Sequence, residues 1–208
     1  MMEFFIEYKD MLFEGSYETL LMTFASTIFA YIIGLPLGVT MVITDAHGIS
    51  PQKTLNTVLG TIINIGRSIP FVILIVAVIP LTRFIVGKAI GPVAAIVPLT
   101  IAAAPFVARM VETALQEVDP GVVEAAKTMG ATNAQIALKV LLPEAVPSLI
   151  RGFSITTITL IGYSAMAGAF GAGGLGDIAI RYGHHRYQAD IMWVTGRSIF
   201  SRRKEGFP

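Results

Sequence analysis

Long apolar runs constrain this chain more than any other feature. They extend from about Tyr17 to Thr44, Thr57 to Pro80, Pro92 to Val111 and Ala145 to Phe170. About 20 apolar residues suffice for a helix to cross the hydrocarbon core of a bilayer. The runs therefore predict an all-α integral membrane protein with about four transmembrane helices. Charge agrees: 14% of the 208 residues are charged, against about 25% in soluble domains. With so much chain committed to lipid, no room remains for a separate soluble catalytic domain. Net charge is +1, so no nucleic acid or other highly charged partner is implied. The chain has no cysteine, which excludes disulfides, thiol catalysis and cysteine-based metal sites.

Punctuation within the runs predicts where helices approach or break. Residues 1–15 mix Phe4, Phe5, Tyr8 and Phe13 with Glu3, Glu7, Lys9 and Asp10, a composition suited to a short interfacial helix. They include no basic region of the kind that opens a cleavable signal peptide. Ser16 is placed to cap the first span. Gly34 and Gly38, four apart within it, allow close helix packing. Asp45 to Asn56 forms a polar turn. In the second span Arg67 precedes Pro70, which removes a backbone donor and disfavours helix at Ile69. An arginine at membrane depth must face protein, water or a partner, so Arg67 is expected to be an intramembrane polar anchor at a helix break, with a gate as the alternative. Leu81 to Gly91 is expected to be a short connection. Pro98, Pro105 and Ala102–Ala104 mark the third span as kinked and closely packed.

Between the third and fourth runs lies a polar island, Asp119 to Glu144. Asp119-Pro120 reads as a helix start, an acidic cap followed by proline in the first turn. Gly130 fits a left-handed stop. Thr132 followed by Gln135 has the spacing of a capping box. Local chemistry thus predicts a helix over 120–129, a sharp turn, and a second helix to about Leu142. Beyond the island, Ser154, Thr156, Thr157, Thr159, Tyr163 and Ser164 supply hydroxyls for bonds to preceding carbonyls or across helices. The stretch from Gly168 to Gly176 is glycine-rich but lacks the GK[ST] of a phosphate loop. His184 and His185 are adjacent and point to different faces, so no metal site is expected. The GxSxG and HExxH motifs of hydrolases are absent, and no acidic residue sits deep in a span to couple an ion gradient. An intramembrane enzyme and a secondary transporter are thereby disfavoured.

Glu124-Ala125-Ala126, Gly130, Ile136 and Leu142-Pro143 match, in type and spacing, the EAA loop of ABC-importer permease subunits. The segments SYETLLMTFASTIFAYIIGLPLG, NIGRSIPFVILIVAVIPLTRFIVG, AAIVPLTIAAAPFVARMVE and ITLIGYSAMAGAFGAGGLGDIAIRYG resemble the methionine uptake family of such permeases. The resemblance implies the ABC-importer permease fold and a multi-pass location in the bacterial cytoplasmic (inner) membrane, with transport of methionine (L- and possibly D-). It implies a homodimer with a second permease copy, membrane lipid around it, two ABC ATPase subunits that carry ATP-Mg, and an extracytoplasmic methionine-binding lipoprotein. The chain itself would hold no cofactor and catalyse nothing. The resemblance also implies an outside N-terminus. Charge alone leaves orientation open: with the island inside, Lys53, Arg109, Lys127, Lys139 and Arg151 balance Lys9, Arg83, Lys88, Arg181 and Arg186.

On this reading Glu124, Ala125, Ala126, Gly130, Ile136, Leu142 and Pro143 couple the permease to the ATPase. Tyr163, Ser164 and Met166 are expected along the substrate path, where a thioether and small polar groups suit a brief, weak site. Residues 1–192 are expected to form the permease domain, with the coupling loop at 119–144. The family has five spans; residues 193–208 form an atypical basic tail where the last would stand. This leaves a transport-deficient permease that still binds the ATPase as the alternative.

Overall fold

The computed structural model describes residues 2–184, with side chains from 8 to 182. Expectations for the histidine side chains at 184 and 185, for the end of the permease domain and for the 193–208 tail lie outside that range. Every regular element among the described residues is helical. Helix α1 spans Met2–Thr44, α2 Lys53–Ser68, α3 Phe71–Ala77, α4 Ile79–Val86 and α5 Pro92–Gln116. Then come α6 (Pro120–Thr128), α7 (Asn133–Ile136), a wide π-type turn over Ala137–Leu141, and α8 (Leu142–Glu144). The chain continues through α9 (Val146–Gly168), α10 (Gly174–Ile178) and a second wide turn over Ala179–His184. Within α1, α5 and α9 lie stretches long and apolar enough to cross a membrane; α2 and α3 make a fourth crossing only if the bent pair counts as one.

Five expectations are corrected. The interfacial helix expected over residues 1–15 is not a separate element, because α1 runs unbroken from Met2. Ser16 is therefore no cap: its hydroxyl donates to the Leu12 carbonyl at 2.7 Å, since a serine inside a helix satisfies itself by back-bonding. The break at Ile69-Pro70 is more than a loosening. Ile69 is extended (φ −76°, ψ 121°), and α3 leaves α2 at 100°. Leu81 to Val86, expected as connection, belongs to α4, which ends on a left-handed Gly87 (φ 80°). The third span also carries on past Val111 to Gln116.

Packing sorts the described residues into two units, one of residues 26–71 and 100–158, the other of residues 2–25, 72–99 and 159–184. In the first unit Met41, Ile63 and Ala108 form a buried cluster flanked by Leu37 and Leu59. The α1–α5 seam depends on small residues: a Cβ at Gly38 would stand 2.6 Å from the Ala108 carbonyl oxygen. Such contact lets backbones meet where lipid supplies no hydrophobic drive between helices. Tyr31 packs its ring 5.3 Å from Phe153. In the second unit the Glu18 carboxylate accepts from the Gly174 N–H (2.7 Å) and the Thr19 hydroxyl oxygen from the Leu175 N–H (2.9 Å). These side chains satisfy donors at the start of α10 that its own first turn leaves open.

Candidate coupling loop

The loop between α5 and α9 is built by local caps. One Asp119 carboxylate oxygen accepts from the Gly121 N–H at 2.7 Å, and Pro120 fills the first turn of α6, where a missing N–H costs nothing. At the other end Gly130 takes φ +79°. Its N–H donates to the Lys127 carbonyl (3.0 Å) and the Ala131 N–H to the Ala126 carbonyl (3.1 Å). That pair of bonds is a Schellman stop, which requires the left-handed residue between them. Thr132 and Gln135 then close a reciprocal box. Gln135 Oε1 accepts from the Thr132 N–H at 2.8 Å, and Thr132 Oγ1 accepts from the Gln135 N–H at 3.3 Å.

The second helix of the loop is less regular than its caps suggest. The Leu142 N–H donates to the Ala137 carbonyl, five residues back. Pro143 follows with no N–H to offer and a ring that would clash with the carbonyl four residues earlier. Widening the turn accommodates it, and such wide turns are characteristic of single positions within longer helices.

Burial divides the motif. Ala126, Ile136, Ala137 and Leu141 are buried and seat the loop on its unit. Glu124, Ala125, Gly130 and Pro143 are exposed, and Leu142 is half-buried. Neighbouring Met129 and Leu138 are 80% and 64% exposed, an apolar edge on otherwise polar surface. Among the described residues Glu124 makes no hydrogen bond or ion pair; it lines a cavity of about 240 Å³ with Asp45, His47 and Lys127. The two motif alanines thus differ: Ala126 is a packing residue, and Ala125 faces out.

The other expected site residues do not converge. Arg67 is exposed one turn before the 100° bend and makes no hydrogen bond or ion pair among the described residues. Ser164 is buried and donates to the Ile161 carbonyl at 2.8 Å. Tyr163 is half-buried and Met166 half-exposed; at i and i+3 these two lie on one side of α9 and Ser164 on another. Ser154, Thr156 and Thr157 all bond to the carbonyl four residues back, one of the two uses expected of them.

Two polar clusters were not anticipated. The Arg109 guanidinium donates to Glu112 at 2.6 Å and to the Asn64 side-chain oxygen at 3.0 Å, joining α5 to α2. The Ser148 hydroxyl donates to the Glu117 carboxylate at 2.5 Å and accepts from Arg151 at 2.8 Å. That second cluster ties the chain entering the loop to the chain leaving it. The i, i+3 spacing of Arg109 and Glu112 was a signal present in the sequence; the partners from other helices were not.

The family model for the binding-protein-dependent transport system inner membrane component matches residues 31–186. The chain is 54% identical over 187 residues to a protein of Vibrio cholerae named probable D-methionine transport system permease protein, covering 90% of this chain and 83% of the relative. A structure of the MetNI methionine ABC transporter in an inward-facing conformation superposes with a TM-score of 0.91 at 52% identity, covering 93% of this chain and 90% of that one. An amino acid ABC transporter solved with histidines shares the fold at 22% identity, with a TM-score of 0.75 over 94% of this chain and 88% of that one.

Proposed function

This chain belongs to the family of binding-protein-dependent transport system inner membrane components, and from that premise we propose that it is the membrane-spanning permease subunit of an ATP-driven methionine importer. The observation that carries this reading is the extent of the likeness to permeases named for D-methionine, which runs through the apolar helices as well as the loop. The chain catalyses nothing in this reading. ATP and its magnesium are bound by ATPase subunits, methionine is delivered by an extracytoplasmic lipoprotein, and two permease copies enclose the path.

The loop from Asp119 to Glu144 is the handle the ATPase moves. Its suitability lies in rigidity: caps at Asp119, Gly130 and Thr132 fix both short helices, so displacement at the exposed surface is passed on to α5 and α9. Glu124 and Ala125 contact the ATPase, Gly130 sets the turn, and Ala126 and Ile136 hold the loop to the helices beneath. Leu142 and Pro143 form the return into the membrane. Closure of the ATPase subunits on ATP then shifts the permease between outward- and inward-facing states. Arg67, exposed at a helix break and without an ion pair among the described residues, takes its polar partner from outside this chain. Tyr163, Ser164 and Met166 are assigned to the path, with Ser164 acting through its position in the wall. Uptake by Met166→Ala at wild-type rate and affinity removes that residue from the path.

Reconstitution tests the whole reading. The full chain, its ATPase subunits and the cognate binding protein are placed in proteoliposomes, and labelled L- and D-methionine are offered with ATP inside. ATP-dependent accumulation of either isomer is expected. Accumulation of another amino acid with methionine excluded sinks the substrate assignment, and accumulation without ATP sinks the ABC assignment.

A further inference from the structure

Away from the loop, the unit that contains α3, α4 and the start of α5 holds a groove of about 200 Å³. Its walls are apolar, formed by Ile75, Ile79, Ala94, Ala95, Pro98 and Phe170, and Arg83 lies along it. Lys88 reaches the same place: its Nζ stands 3.9 Å from where a Cβ on Gly91, another wall residue, would sit. Neither cation has a hydrogen bond or ion pair to a described residue, and the sequence holds no acidic residue from Phe71 to Val111. Around them the surface is apolar, with Phe84 88% exposed and Ile85 and Ile90 also exposed.

Two features set the occupant. Two cations that form no ion pair with a described carboxylate, although Glu18 lies nearby beside Gly173 and Pro92, call for an anion in an apolar setting. The trough is smaller than the roughly 300–1,000 Å³ of sites that enclose a whole small molecule, so it suits one segment of a longer apolar chain whose remainder stays in lipid. An exposed phenylalanine and two isoleucines beside it place that remainder in a bilayer. We propose that this groove binds an anionic phospholipid, with the phosphate held by Arg83 and Lys88 and part of an acyl chain in the trough.

The test uses the full chain co-purified with its ATPase subunits, delipidated in detergent and titrated with phosphatidylglycerol. Retained lipid is read by native mass spectrometry and by the melting temperature. Each cation near a lipid surface contributes about fivefold in affinity. Arg83→Gln is therefore expected to weaken phosphatidylglycerol binding about fivefold and the Arg83→Gln, Lys88→Gln pair about 25-fold. Lys53→Gln, the same charge change elsewhere, should leave it unchanged. Undiminished binding by the double variant overturns the proposal, as does equal retention of zwitterionic phosphatidylcholine. Equal protection by inorganic phosphate assigns the cations to a soluble anion instead. Protection of Lys88 from acetylation by the binding protein but not by lipid assigns the surface to a protein. Should Arg83→Gln fail to accumulate, Arg83→Lys must bind as wild type does and Lys88→Gln alone must show the fivefold loss.

Discussion

Gly130 shows how a single residue can be needed for its backbone alone. A Cβ there would meet nothing within 4 Å, yet φ is +79°. The cost of a side chain is therefore conformational, about 1–2 kcal/mol for an L-residue in the left-handed region, and steeper for a β-branched one. Gly130→Val is expected to lower ATP-driven uptake at normal expression while ATPase activity persists. Gly130→Asn, which tolerates that region, should restore most uptake. Equal uptake by the valine variant removes the turn from the coupling mechanism. Arg109 carries a different kind of constraint, because Glu112 is buried and loses its charged partner if Arg109 is truncated. Arg109→Ala should destabilise by roughly 2–3 kcal/mol, read as a lower melting temperature in detergent. Partial exposure of Arg109 (29% of its side chain) keeps this below the roughly 3–5 kcal/mol of a wholly buried pair. The Gly130 turn was legible because its cause is local. The Arg109 cluster was legible only in half, since Asn64 lies on another helix and nothing in the intervening sequence announces the contact.

At the scale of elements, the short helices of the loop depend on their caps more than on burial. Thr132→Ala removes the capping box and should cost about 1 kcal/mol. Hydrogen exchange should rise over residues 132–138 and not in α5; uniform exchange across both would mean that packing alone holds α7. The α1–α5 seam makes the opposite case. Gly38→Val would force a Cβ to within 2.6 Å of the Ala108 carbonyl, so the helices must separate. A loss of folded protein, measured as the monodisperse fraction after detergent extraction, is expected. The capped boundaries of α6 and α7 could be read from the sequence because caps operate within four residues. Pro70 announced a break, but a proline fixes one dihedral and deletes one donor without setting the 100° between α2 and α3. Helix α4 went unread because its eight residues and glycine stop resemble a connection between spans.

For the molecule as a whole, the exposed edge of the loop is the surface proposed to meet the ATPase. Met129 and Leu138 are 80% and 64% exposed, so charging them disturbs no core. Met129→Glu and Leu138→Glu are each expected to weaken co-purification with the ATPase by about 1–2 kcal/mol, with an unchanged melting temperature for the permease alone. Unaltered binding by both variants would move the docking surface off this edge. By itself the sequence determined the membrane class, the placement of the long helices, the capped loop and the likeness to importer permeases. Each rests on run length, on side chains acting within a turn of their own backbone, or on motif spacing. Only the tertiary structure decided that α2 and α3 turn sharply, that Ala126 packs while Ala125 faces out, that Arg109 joins α5 to α2, and that Ser164 is buried while Met166 is half-exposed. Those outcomes depend on how helices seat against one another. In lipid that seating is set by small-residue contacts and hydrogen bonds between distant positions, which no local pattern records.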